Sequence, residues 1–127
     1  MDDAALAALD TEGTIALATF RRSGVAVVTP VWFAARAGKL YVFSAGDAGK
    51  VKRLRNDPSI RIAACSFRGK VRGDWIEGRA RRVDDRERIR TAHEALRRKY
   101  GWQMRLTDFF SRLSGRIERR AYLELDV

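Results

Sequence analysis

Between Thr14 and Ser44 the chain is written as apolar, β-branched runs cut at short intervals by turn residues, and that rhythm dictates an antiparallel meander. Thr14 to Phe20 is the first run, and Arg21-Arg22-Ser23-Gly24 supplies its turn. Val25 to Ala35 follows as one long strand, and Arg36-Ala37-Gly38-Lys39 turns the chain into Leu40 to Ser44. Pro30 stands in the middle of the long run and has no N–H to give to a ladder. Its position must therefore be an edge, a bulge or an opening.

The period then changes. Asp47 to Arg55 places Val51 and Leu54 on one side of a helical wheel, and Asn56-Asp57-Pro58 stops the helix. Ser59 to Phe67 returns to alternation, Arg68-Gly69-Lys70 turns, and Val71 to Val83 reads as a strand. Gly73 and Gly78 within it mark bulges or a close backbone approach. Asp84 with Glu87 has the spacing of a capping box, opening a helix with the stripe Ile89, Ala92, Leu96 and Tyr100 and a C-cap at Gly101. Leu106 to Leu113 reads as a short helix, Arg116 to Val127 as the last strand, and residues 3–10 as a short N-terminal helix. The fold class is mainly β with added helix. Six strands form a small antiparallel barrel, with one short inserted helix and a longer helix before the last strand. At 127 residues this is one domain.

Charge and the inventory of reactive groups narrow the function. Lys and Arg number 26 against 16 Asp and Glu, a net charge of +10. Such an excess attracts nucleic acid, a membrane surface or a phosphorylated ligand, and only its placement chooses among them. Basic residues alternate with apolar ones along the strands, which disfavours nucleic acid. No apolar run approaches the roughly 20 residues of a membrane span. The acidic start Met1-Asp2-Asp3 lacks a basic leader region, and one cysteine, Cys65, forms no internal disulfide, so the expected location is the cytoplasm. With His93 as the only histidine there is no Ser-His-Asp set, and one Cys and one His make no ordinary zinc site. His93 lies beside a packed helical stripe and Cys65 within a strand, both structural positions. No catalytic side chain stands out.

What remains is a place for an anion. Ser44-Ala45-Gly46-Asp47-Ala48-Gly49-Lys50 runs from a strand end through two glycines into the basic helix Lys50-Val51-Lys52-Arg53-Leu54-Arg55. Small residues let backbone amides reach a ligand, and a helix N-terminus favours phosphate. An ordinary solvated basic helix has the same spacing. The glycines do not match a Walker loop.

Four segments carry a resemblance: Thr29-Pro30-Val31-Trp32-Phe33, Lys39-Leu40-Tyr41-Val42-Phe43-Ser44, Lys50 to Pro58, and Trp75-Ile76-Glu77-Gly78-Arg79-Ala80. In this order they resemble the pyridoxamine-phosphate-oxidase-like FMN-binding split barrels, most of all the branch that uses coenzyme F420. The resemblance covers about residues 10–85. It implies a homodimer holding two cofactors at the subunit interface and acting on a small conjugated organic molecule; from the composition and charge pattern above, neither a membrane nor nucleic acid is an expected partner. Thr29, Pro30, Val31 and Trp32 then line the deazaflavin ring, largely through backbone, and Ser44, Ala45 and Gly46 continue that wall. Lys50 meets the cofactor phosphate, with Lys52 and Arg55 as further candidates. FMN is the alternative cofactor, and a flavin-binding protein without turnover the alternative function. The chain lacks the extended C-terminal segment of the phosphate oxidases themselves, so pyridoxamine phosphate is not the expected substrate. Trp102, Arg105 and Phe109 are expected in core or dimer packing, or over the partner's pocket.

Overall fold

The computed structural model describes residues 1–127. Helix α1 (Asp3–Leu9), capped by the Asp2 carboxylate on Ala5 N, precedes strands β1 (Thr14–Phe20), β2 (Ala26–Val31), β3 (Phe33–Arg36) and β4 (Lys39–Ala45). Then come α2 (Gly49–Asn56), β5 (Ser59–Cys65), β6 (Ile76–Val83), α3 (Arg86–Tyr100), α4 (Trp102–Leu113), a 3₁₀ turn (Ile117–Arg119) and β7 (Arg120–Asp126). All seven strands lie in one sheet ordered β2-β1-β5-β6-β7-β4-β3, and every pairing is antiparallel. The mainly β split barrel expected from the sequence stands.

The six expected runs become seven strands because the long one breaks at Trp32. Its first half pairs with β1, placing Val31 opposite Ile15, and its second half pairs with β4, placing Phe33 opposite Val42. The two outermost strands of the sheet are thus consecutive in the chain, and covalent continuity closes what hydrogen bonds leave open. Pro30 sits on β2, an edge strand, opposite Ala16, where its missing donor costs nothing. Tyr100, at the end of α3, holds the break. Its Oη accepts from Phe33 N at 3.0 Å and lies within donating reach of Gly13 O (2.8 Å) and Phe33 O (3.0 Å). Burial, against the Phe33 amide and with Asp10, pushes the Tyr100 hydroxyl up to about 12, so it stays protonated as a donor.

The chain packs two cores. Inside the barrel, Ile15, Leu17, Phe33, Leu40, Ile62 and Leu123 meet, with Leu54 of α2 entering from one end. Outside, α3 and α4 cover β3, β4 and β7 through Ala92, Leu96 and Met104 against Ala34, Tyr41 and Tyr122. Strand β7 is therefore buried on both faces, with Leu123 inward and Tyr122 under the helices. No helix is long and apolar enough to cross a membrane.

Boundaries differ from the sequence reading at several places. The last strand begins at Arg120 and not at Arg116, because Ile117–Arg119 wind into a 3₁₀ turn, and β5 ends at Cys65, before the turn, and not at Phe67. The N-cap of α3 is Asp85, which accepts from Arg88 N at 3.2 Å, one residue after the expected Asp84. Strand β6 begins at Ile76, because the amides of Arg72 and Gly73 both turn onto Ala64 O and leave only a Val71–Cys65 bridge before it. Helix α4 begins at Trp102, since Gly101, at φ +58°, ends one helix and starts the next. Gly78 is a close approach as expected: a Cβ there would stand 2.5 Å from Asp126 O.

Replacing Tyr100 with Phe keeps the ring and strands the Phe33 amide. Urea unfolding should show a loss of about 1–3 kcal/mol, and an unchanged midpoint would refute this role for the hydroxyl.

Candidate anion site on the loop from β4 to α2

Strand β4 ends at Ala45, and Ala48 N closes a tight turn onto Ala45 O at 3.1 Å. The next residues open α2, whose N-cap Ala48 offers no side-chain acceptor. The amides of Gly49 and Lys50 consequently have no backbone partner, while Val51 N and Lys52 N bond to Ala48 O. Two cations converge on this bare helix start. Lys50 is half-buried, and burial, then the Arg53 guanidinium, push its ammonium below its usual range. Arg53 folds back along the helix: its Nη1 would lie 2.7 Å from a Cβ on Gly49, and its Nε donates to the buried Thr19 Oγ1 at 2.7 Å. Neither forms an ion pair. Two like charges at the positive end of a helix are mutually unfavourable until an anion joins them.

On the other side of the same turn lies a cleft of about 700 Å³, within the range of small-molecule sites. Its wall includes Phe43, Ser44, Ala45 and Gly46, facing Ser111 and four arginines, Arg82, Arg116, Arg119 and Arg120. Asp47 is its single acid. Gly46 admits no side chain, because the Arg119 carbonyl oxygen occupies the place of a Cβ. Arg82, Arg116 and Arg119 carry no carboxylate partner.

Arg120 is different, because the fold holds it. Its Nη1 donates to Asp108 Oδ1 at 2.8 Å and to Tyr122 Oη at 3.2 Å, its Nη2 to Ser111 Oγ at 2.8 Å, and its guanidinium covers the Phe43 ring at 4.7 Å. Asp108, 1% exposed, also accepts from Arg97 Nε at 2.9 Å and lies 2.8 Å from His93 Nε2. One carboxylate thereby ties α3, α4 and β7 together at the base of the cleft. Burial raises the Asp108 carboxyl, but the hydrogen bonds from Arg120, Arg97 and His93 outweigh it and leave it below the ordinary carboxylate range.

A family model for pyridoxamine 5′-phosphate oxidase matches residues 1–127. The chain belongs to that family. Its split barrels generally bind a flavin nucleotide. Solved structures agree on the fold. A conserved hypothetical protein of Mycobacterium tuberculosis superposes with a TM-score of 0.72 at 20% identity, covering 98% of this chain and 79% of that one. A candidate 5-nitroimidazole antibiotic resistance protein of Bacteroides thetaiotaomicron gives 0.72 at 16%, with coverages of 99% and 80%. HutZ, the heme storage protein of Vibrio cholerae, gives 0.71 at 14%, with 97% and 87%. No curated protein matches the chain at a significant level.

Within this family member, the expected site residues fall into three groups. Ser44, Ala45 and Gly46 line the arginine cleft, and Lys50 stands at the adjoining helix start. Thr29, Pro30 and Val31 lie on β2, whose partner β1 also carries the Thr19 that holds Arg53. Trp32 links the two regions, since its ring stacks on Tyr100 at 4.5 Å and meets Phe43 edge-on at 6.2 Å. That ring is committed to packing, which leaves Trp32 its backbone for a ligand. Lys52 and Arg55 are exposed, and no contact draws them toward the helix start. Sequence reasoning missed Arg53, whose side chain reverses direction, and the arginines of the cleft, which come from β6, from the segment before β7 and from its first residue, Arg120. His93, read from the sequence as a structural residue, meets Asp108, a partner the sequence did not indicate.

The Asp108 carboxyl releases its proton more readily in the native state than in the unfolded chain. Its stabilisation is complete above the ordinary carboxylate range and drains away as pH falls through that range toward the native value. Asp108→Asn should therefore cost about 3–5 kcal/mol near neutral pH, with the gap to wild type shrinking in acid. A pH-independent gap in denaturant titrations would contradict this.

Proposed function

We propose that the chain is an oxidoreductase that binds coenzyme F420 and transfers hydride between it and a small conjugated organic substrate. The observation that carries this reading is the pair of cationic places flanking one turn: Lys50 and Arg53 at the bare start of α2, and Arg82, Arg116 and Arg119 in the cleft. The residues fit the cofactor's chemistry. A phosphodiester meets the amides of Gly49 and Lys50 with two cations, and a polyanionic tail finds three arginines that have no acid of their own. FMN, with one phosphate, satisfies only one of the two places, and it is the alternative cofactor.

Bound in this way, the deazaflavin supplies the hydride chemistry. The chain contributes position. Backbone of Thr29 to Val31, at the end of an edge strand, is free along its outer side for the ring, and Tyr100 and Phe43 fix where Trp32, at the break, lies. No nucleophile–base pair lines the cleft; its Ser111 hydroxyl accepts from Arg120 instead. Val25 and Val28 at β2 are exposed, as are Phe67 and Val71 on either side of the Gly69 turn, which approaches Pro30, and these apolar side chains support a second copy of the chain covering the ring site. The working unit in this reading is a cytoplasmic homodimer of one domain, residues 1–127, with no nucleic-acid partner. A protein of the same fold that holds a flavin or deazaflavin without turning it over is the competing reading.

Titration of the purified apo-protein with F420 and with FMN, followed by cofactor fluorescence, tests the assignment. F420 should bind more tightly. Lys50→Ala should weaken both ligands by about tenfold or more, whereas Arg119→Ala should weaken F420 alone. Equal or tighter binding of FMN would remove F420 while keeping a flavin. Tight binding with no oxidation of the reduced cofactor by enones, quinones or bilins would leave a carrier in place of an enzyme.

A further inference from the structure

Helix α4 turns Met104 and Asp108 inward and leaves an apolar ridge facing solvent. Trp102 is 71% exposed, Phe109 57%, Phe110 58% and Leu113 74%, with Leu106 half-exposed between them. At about 100° per residue these five side chains fall within roughly a third of the helix circumference, opposite the buried face. Phe109 and Phe110 meet edge-on, with ring centroids 5.6 Å apart. Arg105 and Arg112 flank the ridge on one side, Gln103 and Thr107 on the other. The one acid of the helix, Asp108, is buried and paired with Arg97 and Arg120. At the start of the ridge, Arg97, Arg98, Gly101, Trp102 and Arg105 surround a hollow of about 480 Å³. Arg98 and Arg105 enter no ion pair there.

We propose that this face docks on an anionic lipid bilayer, with α4 lying in the plane of the interface. The ridge enters the acyl boundary, and the hollow beside Trp102 takes a lipid phosphate between Arg98 and Arg105. An aromatic and aliphatic stripe flanked by arginines, on a helix too short to span a bilayer, is the composition that binds in this way. Charge selects the occupant. A second copy docked ridge to ridge across a two-fold axis would set Arg105 and Arg112 against the same arginines on a chain already at +10, and α4 carries no exposed acid to answer them. A bilayer also accepts a protruding ridge, where a folded partner must supply a groove. The inference is independent of which redox cofactor the barrel holds.

Flotation of the full chain with vesicles tests it, using phosphatidylcholine alone and phosphatidylcholine mixed with phosphatidylglycerol, at low and high salt. The chain should float with the mixed vesicles, only weakly with the neutral ones, and less as salt rises. The double substitution Phe109→Ser with Phe110→Ser should lower partitioning about tenfold or more, with the circular dichroism spectrum unchanged. Arg98→Glu with Arg105→Glu should abolish the preference for anionic vesicles. Absence of flotation by the wild-type chain, or equal flotation of the Phe109/Phe110 variant, would overturn the proposal. So would a concentration-dependent dimer that this variant converts to monomer, because the ridge would then belong to a second copy.

Discussion

The barrel depends on what happens at Trp32, where one apolar run leaves β1 and joins β4. Phe33, the first residue after the break, is held from several directions. Tyr100 Oη accepts from its amide and reaches its carbonyl, and the Lys99 ammonium sits 3.5 Å from its ring centroid. Lys99 also pairs with Asp10 at 3.1 Å, and Asp10 accepts from Ala35 N. Burial lowers the Lys99 ammonium, and the hydrogen bond and charge of Asp10 partly restore it. The chain change between the two edges of the sheet is thus fastened by the last turn of α3 and by the residues just after α1. These bonds add to the burial of Val31 and Phe33 in the barrel core, which also favours dividing the run between two strands.

That fastening positions the site. Fixing β3 fixes Phe43 through Trp32, and Phe43 is the surface on which Arg120 lies. Arg120 is in turn locked by Asp108, so the base of the cleft is rigid while Arg82, Arg116 and Arg119 are left without carboxylates. The positive charge of the chain therefore has two uses. Part of it is neutralised within the fold, by Asp108 and by Glu124, which meets Arg81 at 3.2 Å and Arg88 at 3.7 Å. The rest stands uncompensated around the β4–α2 turn and along the flank of α4, where an anion gains most from it.

The local chemistry of the sequence announced a good part of this. The missing N–H of Pro30 required an edge, a bulge or an opening, and β2 is an edge. Gly78 marked a bulge or a close approach, and the C-terminal backbone provides the close approach. Strand and helix periods located the main elements. Errors fall where two signals overlapped, as at the neighbouring caps Asp84 and Asp85 and at Gly101, which serves two helices at once, and where tertiary pairing decided, as at Trp32, from Val71 to Trp75 and in the 3₁₀ turn before β7. The site was half legible. Ser44 to Lys50 is a continuous segment with a recognisable strand-to-helix character. Arg53, by contrast, is separated from Gly49 by one helical turn and reaches it only through its rotamer. The cleft arginines, near 82 and between 116 and 120, are joined to residue 46 only by β4–β7 and β6–β7 pairing. Asp108, beside Phe109 and Phe110, reads as a solvated acid on an amphipathic helix, and its burial follows from the way α4 packs.

In the proposed reading, an anionic redox cofactor lies along the turn from Ser44 to Lys50. Amide chemical shifts of the ¹⁵N-labelled chain during titration with F420 address it most directly. Binding should move the amides of Gly46, Gly49, Lys50 and Arg119 together with those of Thr29 and Val31, while Leu106 and Leu113 on the outer face of α4 stay in place. Shifts confined to any other surface, or none at saturating ligand, would contradict the account.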